Sequence, residues 1–346
     1  MFEINESYLL DFAKKLLAID SPTGYTMNAI RFMEKEALAL GYTCSHNTKG
    51  NLFIRIPGTL SRHTTALSAH CDTLGLMVRS IKANGTLAVT PIGSPTLPTL
   101  DSEYCRIITR ENQVYNGTIL CTAAAKHVHP DASTLTRDAD TLEVRIDEIV
   151  KSKEDVQALG IQNGDYIAID PKTMITDNGF IKSRFLDDKI SCACLFAVLC
   201  YLKEHAVTLQ NDLLFMFSTY EEVGHGASCM PDDVDTMLAV DMGCIGLDLA
   251  CTEYDVSICA KDSSGPYDYA LTTKLVQLAK QQQLNYAIDI YPMYGSDVSA
   301  ALKGGNDIKG ALIGPGVHAS HGMERTHLQA LKNTITLILS YLLLDQ

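Results

Sequence analysis

Four short apolar runs in this 346-residue chain each finish on side chains that ionise. Residues 64–69 lead straight into His70-Cys71-Asp72. Residues 213–217 lead through Ser218-Thr219-Tyr220 into Glu221-Glu222-Val223-Gly224. Residues 237–240 end at Asp241, and 311–316 precede His318-Ala319-Ser320-His321. Apolar runs of this length between turn signals read as buried strands. An acid carried into a buried strand end is costly unless something positive meets it. In an open α/β sheet such ends share one edge, where ligands bind. Helical spacing of apolar positions at about 5–19, 26–40, 190–204 and 326–344 supplies the other half of the pattern. A further helix is expected over about 266–282, with Pro266 near its first turn, and a short one after Gly295-Ser296-Asp297. The fold class is α/β: a three-layer domain around a mixed central sheet.

That pattern breaks once. From Leu74 to about Asp177 the helical period disappears, and short β-rich runs alternate with turn signals such as Asn84-Gly85, Gly93-Ser94-Pro95, Asn116-Gly117 and Asp177-Asn178-Gly179. Strands are expected at 144–147 and 166–170, and one short helix at 151–160. The expected organisation is an α/β domain from 1–73 and 178–346, interrupted by a small β-rich domain, barrel-like or PDZ-like, over 74–177.

Composition narrows the partners and the compartment. A net charge of −13 argues against nucleic acid. No apolar run is long enough to span a bilayer, and the acidic start Met1-Phe2-Glu3-Ile4-Asn5-Glu6 lacks the order of a signal peptide. The 11 cysteines contain no C-x-x-C pair, so reduced, buried thiols in a cytoplasmic protein are expected.

The strand-end side chains are imidazoles and carboxylates without thiolate, a set that suits zinc, cobalt or manganese. Each has an ordinary explanation by itself: a core histidine for His70, a helix-dipole acid for Asp187, a turn cap for Asp241. Their recurrence at strand ends favours one site. Two histidines and three carboxylates exceed what one open tetrahedral centre needs, which points to two divalent metal ions. In His70-Cys71-Asp72 the aspartate can take the ring N–H of His70 and fix its tautomer. Of two adjacent glutamates, one that is not a ligand can take a proton from water.

Taken in order, His70-Cys71-Asp72, Leu186-Asp187-Asp188-Lys189, Tyr220-Glu221-Glu222-Val223-Gly224, Val240-Asp241, Gly295-Ser296-Asp297 and the late histidine resemble the motif set of the glutamyl-aminopeptidase family. These are TET-type metallo-aminopeptidases, related to the leucyl and aspartyl aminopeptidases. The resemblance implies that Asp187 bridges two metals. It implies that His70 and Asp241 complete one site, and Glu222 and a late histidine the other. Glu221 becomes the general base, and Asp72 orients His70. The late histidine is read as His321 ahead of His318 and His327. The insert is expected to mediate dimers that build a dodecamer. The implied reaction is removal of N-terminal residues from peptides, with Asp297 or His318 near the substrate; Asp297 reads equally as an N-cap. Two alternatives stay open: an amidase acting on a capped or acylated small peptide, and a non-catalytic assembly protein on the same scaffold. A glycosidase reading leaves the histidines without a role.

Overall fold

The computed structural model describes residues 2–344. In chain order the elements before the insert are α1 (Glu6–Leu17), α2 (Met27–Ala39), β1 (Cys44–His46), β2 (Leu52–Ile56) and β3 (Thr64–His70). Six strands then close a barrel in the order β4-β5-β8-β7-β6-β9: β4 (Gly75–Ile81), β5 (Leu87–Ile92), β6 (Tyr104–Ile108), β7 (Val114–Cys121), β8 (Leu142–Ile146) and β9 (Tyr166–Ile169). Its one α-helix, α3 (Lys153–Ala158), begins on a Ser152–Asp155 capping box. After it come β10 (Met174–Ile175), β11 (Phe180–Ser183), α4 (Leu186–Glu204), β12 (Asp212–Ser218), β13 (Thr236–Val240), β14 (Gly243–Cys244) and β15 (Val256–Asp262). The chain continues with β16 (Gly265–Pro266), α5 (Tyr269–Gln281), β17 (Tyr286–Ile290), α6 (Asp297–Lys303), β18 (Lys309–Val317), β19 (Glu324–His327) and α7 (Leu328–Leu343).

The central sheet is mixed, in the order β1-β2-β12-β3-β13-β18-β15-β16. Its middle four strands, β12, β3, β13 and β18, are mutually parallel. Side chains alternate across this sheet, so both faces carry apolar residues. Leu213, Phe215 and Phe217 join Leu67, Leu238 and Ile313 in the core shared with α1, α4 and α7. Leu214 and Met216 join Ala66, Met237 and Leu312 on the opposite face, with Val298 and Ala301 of α6. Helices on both faces make the three layers. Because the four central strands are parallel, their carboxyl ends meet on one edge, beside the barrel.

Two expectations need correction. The helix placed at 266–282 starts at Tyr269, where the Asp268 side chain accepts the Leu271 N–H; Pro266 sits in β16. Proline can occupy that short edge strand because its missing N–H costs the sheet little. Residues 326–327, expected to open the last helix, belong instead to β19, which pairs with β11, and the helix begins at Leu328. The cysteines are free thiols, mostly buried, with Cys229 exposed. No described helix is long and apolar enough to cross a membrane.

Candidate active site

β3 delivers His70 to the sheet edge with 1 % of the residue exposed. Its Nδ1–H donates to the carbonyl of Asp72 at 2.9 Å, which turns Nε2 towards Asp187 Oδ1 at 3.1 Å. The carboxylate of Asp72 makes its shorter contacts to groups other than the ring it was expected to orient. Its nearer oxygen is 3.5 Å from His70 Nδ1, whereas it accepts the backbone N–H groups of Glu221 (3.2 Å) and Glu222 (3.3 Å) and the Thr23 hydroxyl (2.7 Å). The ring is oriented by the Asp72 carbonyl, and the glutamate turn is held by the Asp72 side chain.

That turn follows β12. Glu221–Val223 form one 3-10 turn, ended by Gly224 at φ 82°, a left-handed position suited to glycine. Glu221 Oε2 lies 3.7 Å from His70 Nε2, and Glu222 Oε2 lies 3.7 Å from His321 Nε2. Asp187 sits between the histidines. One of its oxygens faces His70, and the other is 3.4 Å from His321 Nε2. Asp187 and Asp188 are non-helical residues within the assigned span of α4. Asp188 is wholly buried and accepts the backbone N–H of His70 at 3.2 Å. Asp241 follows β13 and accepts the N–H of Met242 at 2.6 Å.

His321 is held in a left-handed conformation, φ 62°. Its Nδ1 meets the Ser94 carbonyl at 2.9 Å and the Ser94 hydroxyl at 3.1 Å. Its backbone N–H donates to Glu324 at 3.0 Å, and the other Glu324 oxygen accepts the N–H of Asp187 at 3.1 Å. One buried acid thus ties the backbones of two site residues together.

The electrostatics show what this cluster lacks. Burial pushes Glu221, Glu222 and Asp188 well above the ordinary carboxylate range. Burial and then Asp187 push Asp241 up to about 7 and Glu324 up to about 8. Burial also acts to raise Asp187, but hydrogen bonds from His321 and His70 outweigh it and hold this carboxyl below its usual range. For His321 burial opposes the charge, yet Asp187 and Glu222 carry its pKa up to about 10. The acids outnumber the cations, and Glu222 Oε1 is buried with no hydrogen-bond partner. Such an oxygen needs a positive ligand. Two sets of donor atoms lie within 4.8 Å of one another: His70, Glu221 and Asp241, and His70, Asp187 and Glu222. The nitrogen and carboxylate donors, the inward Nε2 atoms and the orphaned oxygen all fit divalent metal.

A pocket of about 250 Å³ opens over the cluster. Asp187, Glu221, Glu222, Asp241, Ser94 and His321 line one side, and Met293, Tyr294 and Lys303 contribute to the other. The M42 glutamyl aminopeptidase family model matches residues 50–337. This chain belongs to the M42 glutamyl aminopeptidase family. Membership makes it a peptidase of the aminopeptidase class. YhfE of Bacillus subtilis (strain 168), a protein named as an aminopeptidase, is 43 % identical over 333 residues, 96 % of each chain. The glutamyl aminopeptidase of Lactococcus lactis subsp. cremoris (strain MG1363) is 25 % identical over 67 % of this chain and 66 % of its own. Among solved structures, the TET aminopeptidase of Thaumarchaeota archaeon SCGC AB-539-E09 has a TM-score of 0.87 at 18 % identity, covering 98 % of this chain and 96 % of its own. The TET1 peptidase of Pyrococcus horikoshii, which assembles into a tetrahedron or a large octahedral shell, has a TM-score of 0.84 at 21 % identity, covering 96 % and 99 %. These structural likenesses carry the fold.

Two residues expected near substrate do not line this pocket of the aminopeptidase. Asp297 is buried and accepts the Ser218 hydroxyl at 2.6 Å, and it does not line the pocket. It is the first residue of α6; the cap is Ser296. His318 is exposed, its backbone paired with Arg325 away from the pocket. His327 instead caps α7 and packs on Phe180. Conversely, the sequence reading passed over Ser94 and Thr23. Both sit in Pro/Gly turns whose composition signals a bend and carries no mark of the histidine or acid they meet.

Proposed function

We propose that this family member is a dinuclear-metal aminopeptidase that removes N-terminal residues from peptides, with Glu221 as general base. One observation carries the reading: the two carboxylate oxygens of Asp187 face the Nε2 atoms of two different histidines, His70 and His321. A carboxylate so placed can serve two ions at once. His70 and Asp241 then complete one group, and Glu222 and His321 the other. The donor chemistry favours zinc, with cobalt or manganese as alternatives. Ions held by these residues would supply Lewis acidity for a peptide carbonyl and for water.

The chain's own residues divide the remaining work. Glu222 also borders the pocket, but its side chain is only 4 % exposed and one of its oxygens is unpartnered, as a ligand requires. The Glu221 side chain is 14 % exposed and lines the pocket, where water can reach it. Burial raises its proton affinity, so it accepts the proton of the attacking water and returns it to the leaving amine. Asp72 fixes the backbone on which Glu221 stands. The acid-rich pocket wall suits the free α-amine of a peptide N-terminus. Self-association is part of this reading: solved relatives of this fold form closed assemblies, and Tyr104 and Val114 leave apolar surface exposed on the barrel.

Glu221→Gln is the direct test. Metal content is expected to stay at the wild-type level, while turnover of aminoacyl amides falls about 10²- to 10⁴-fold. Turnover near wild type would sink the assignment. A preference for N-acylated over free-amine substrates would move the activity to the amidase reading.

A further inference from the structure

The two histidines are held by different parts of the molecule. Every group that orients His70 belongs to the α/β layers: the Asp72 carbonyl on its Nδ1 and the Asp188 carboxylate on its backbone N–H. His321 is gripped from the barrel side. The loop after β5 presents the Ser94 carbonyl and hydroxyl to its Nδ1 at 2.9 and 3.1 Å. Two residues on, the Thr96 N–H donates to the His321 carbonyl at 3.0 Å. The loop is seated tightly. Gly93 has φ 67°, and a Cβ there would fall 2.5 Å from Leu74 Cδ2 and 3.4 Å from the Glu222 carbonyl oxygen. The His321 side chain remains 29 % exposed against 1 % for His70.

We propose that Ser94 and Thr96 are positioning residues for His321, so that one metal group is assembled jointly by the barrel and the α/β layers while the His70 group is assembled by the α/β layers alone. The inference rests on the reading of His321 as a metal ligand. A carbonyl accepting from Nδ1 requires the hydrogen on that atom, so that a ring holding a metal would turn its Nε2 lone pair to the Asp187–Glu222 side. Without the grip the ring is free to turn or change tautomer, and the exposed histidine has nothing else on its Nδ1. Partners that orient a ligating histidine are worth about 10- to 100-fold in metal affinity. The barrel is then part of the catalytic unit, and its seating sets how firmly the second ion is held.

The test uses the full chain and titrates zinc, and separately cobalt, into metal-stripped protein. Stoichiometry is read by elemental analysis and calorimetry, and the cobalt site by its absorption spectrum. Thr96→Pro removes the N–H at a φ of −70° that proline accepts; Ser94→Ala removes the hydroxyl and keeps the carbonyl. In the double variant one equivalent is expected to bind as in wild type and the other about 10- to 100-fold more weakly, with its cobalt spectrum altered. Activity lost at limiting zinc should return at excess zinc. Should Thr96→Pro fail to fold, Ser94→Ala alone still decides: a weakening confined to one equivalent, smaller than that of the double variant, is expected, with Ser94→Thr restoring it. A folded double variant that binds both equivalents with wild-type affinity overturns the proposal, as does equal weakening of both. Wild-type protein that takes up no divalent metal overturns the underlying reading of the site instead.

Discussion

Substituting Asp72 by asparagine separates two roles that the His70-Cys71-Asp72 motif confounds. If the carboxylate oriented the ring, Asp72→Asn would disturb the His70 metal group first. The distances assign it to the glutamate turn, with the Glu221 and Glu222 N–H groups at 3.2 and 3.3 Å and the ring held by a main-chain carbonyl that the substitution leaves in place. Asparagine keeps one acceptor oxygen and turns an NH2 towards the other donor. One half-buried N–H therefore loses a charged partner, at about 1.5–3 kcal/mol. If that loss falls on the catalytic position of Glu221, about 2 kcal/mol corresponds to roughly a 30-fold fall in kcat/KM. Metal content should be unchanged. The assay is steady-state turnover of an aminoacyl amide beside elemental analysis of the same preparation. Thr23→Ala is the control: it removes only the hydroxyl donor, with a stability cost of about 1 kcal/mol and kcat held. Loss of a metal equivalent in Asp72→Asn, with turnover per bound metal preserved, would refute the reasoning and restore the ring-orienting role.

Asp187→Ala should lose both metal equivalents, because the same side chain faces both histidines; retention of either, measured by elemental analysis, contradicts a shared ligand. Exhaustive chelation should abolish turnover and lower the melting temperature, since ligand bound at 100 times its Kd stabilises by about 2.7 kcal/mol; an unchanged calorimetric midpoint and persisting activity would count against the site. Phe196→Ala should cost about 3–5 kcal/mol in urea unfolding, because Phe196 stacks on Phe12 at 4.3 Å and leans on Phe217 at 5.0 Å, joining α1, α4 and the glutamate-bearing strand; a cost below about 1 kcal/mol would mean the layer repacks around the gap.

The strand ends were legible because burial and charge conflict openly in the sequence. His70, Glu221, Glu222 and Asp241 each follow an apolar run with no neighbour to neutralise them, so an external cation was the remaining way to reconcile them. The three layers were legible for a related reason: 3.6-residue and buried-strand periods alternate on both sides of a single interruption. What escaped is contact between segments distant in sequence. Ser94 and His321 are 227 residues apart, and a Gly-Ser-Pro turn looks the same whether it faces solvent or a histidine. The Asp72 carboxylate escaped because adjacency to His70 offered a simpler partner than the backbone of a loop 149 residues away. Asp297 was misplaced because a side chain at the first turn of a short helix reads alike facing in or out; here it faces Ser218.

The order in which the site's pieces occur along the chain governs when it comes into existence. During synthesis from the amino terminus, a polypeptide that has just completed the barrel holds His70 and Asp72 but none of Asp187, Glu221, Glu222 or Asp241. The parallel strand β18 slots between β13 and β15, so the sheet edge that gathers these residues closes only after β18 has been made, with His321 just beyond it. On the proposed reading, metal capture is therefore a late event in the life of each molecule. The ion such a site acquired would then be the one available when the sheet closes and the barrel loop settles on His321, not one met by a growing chain.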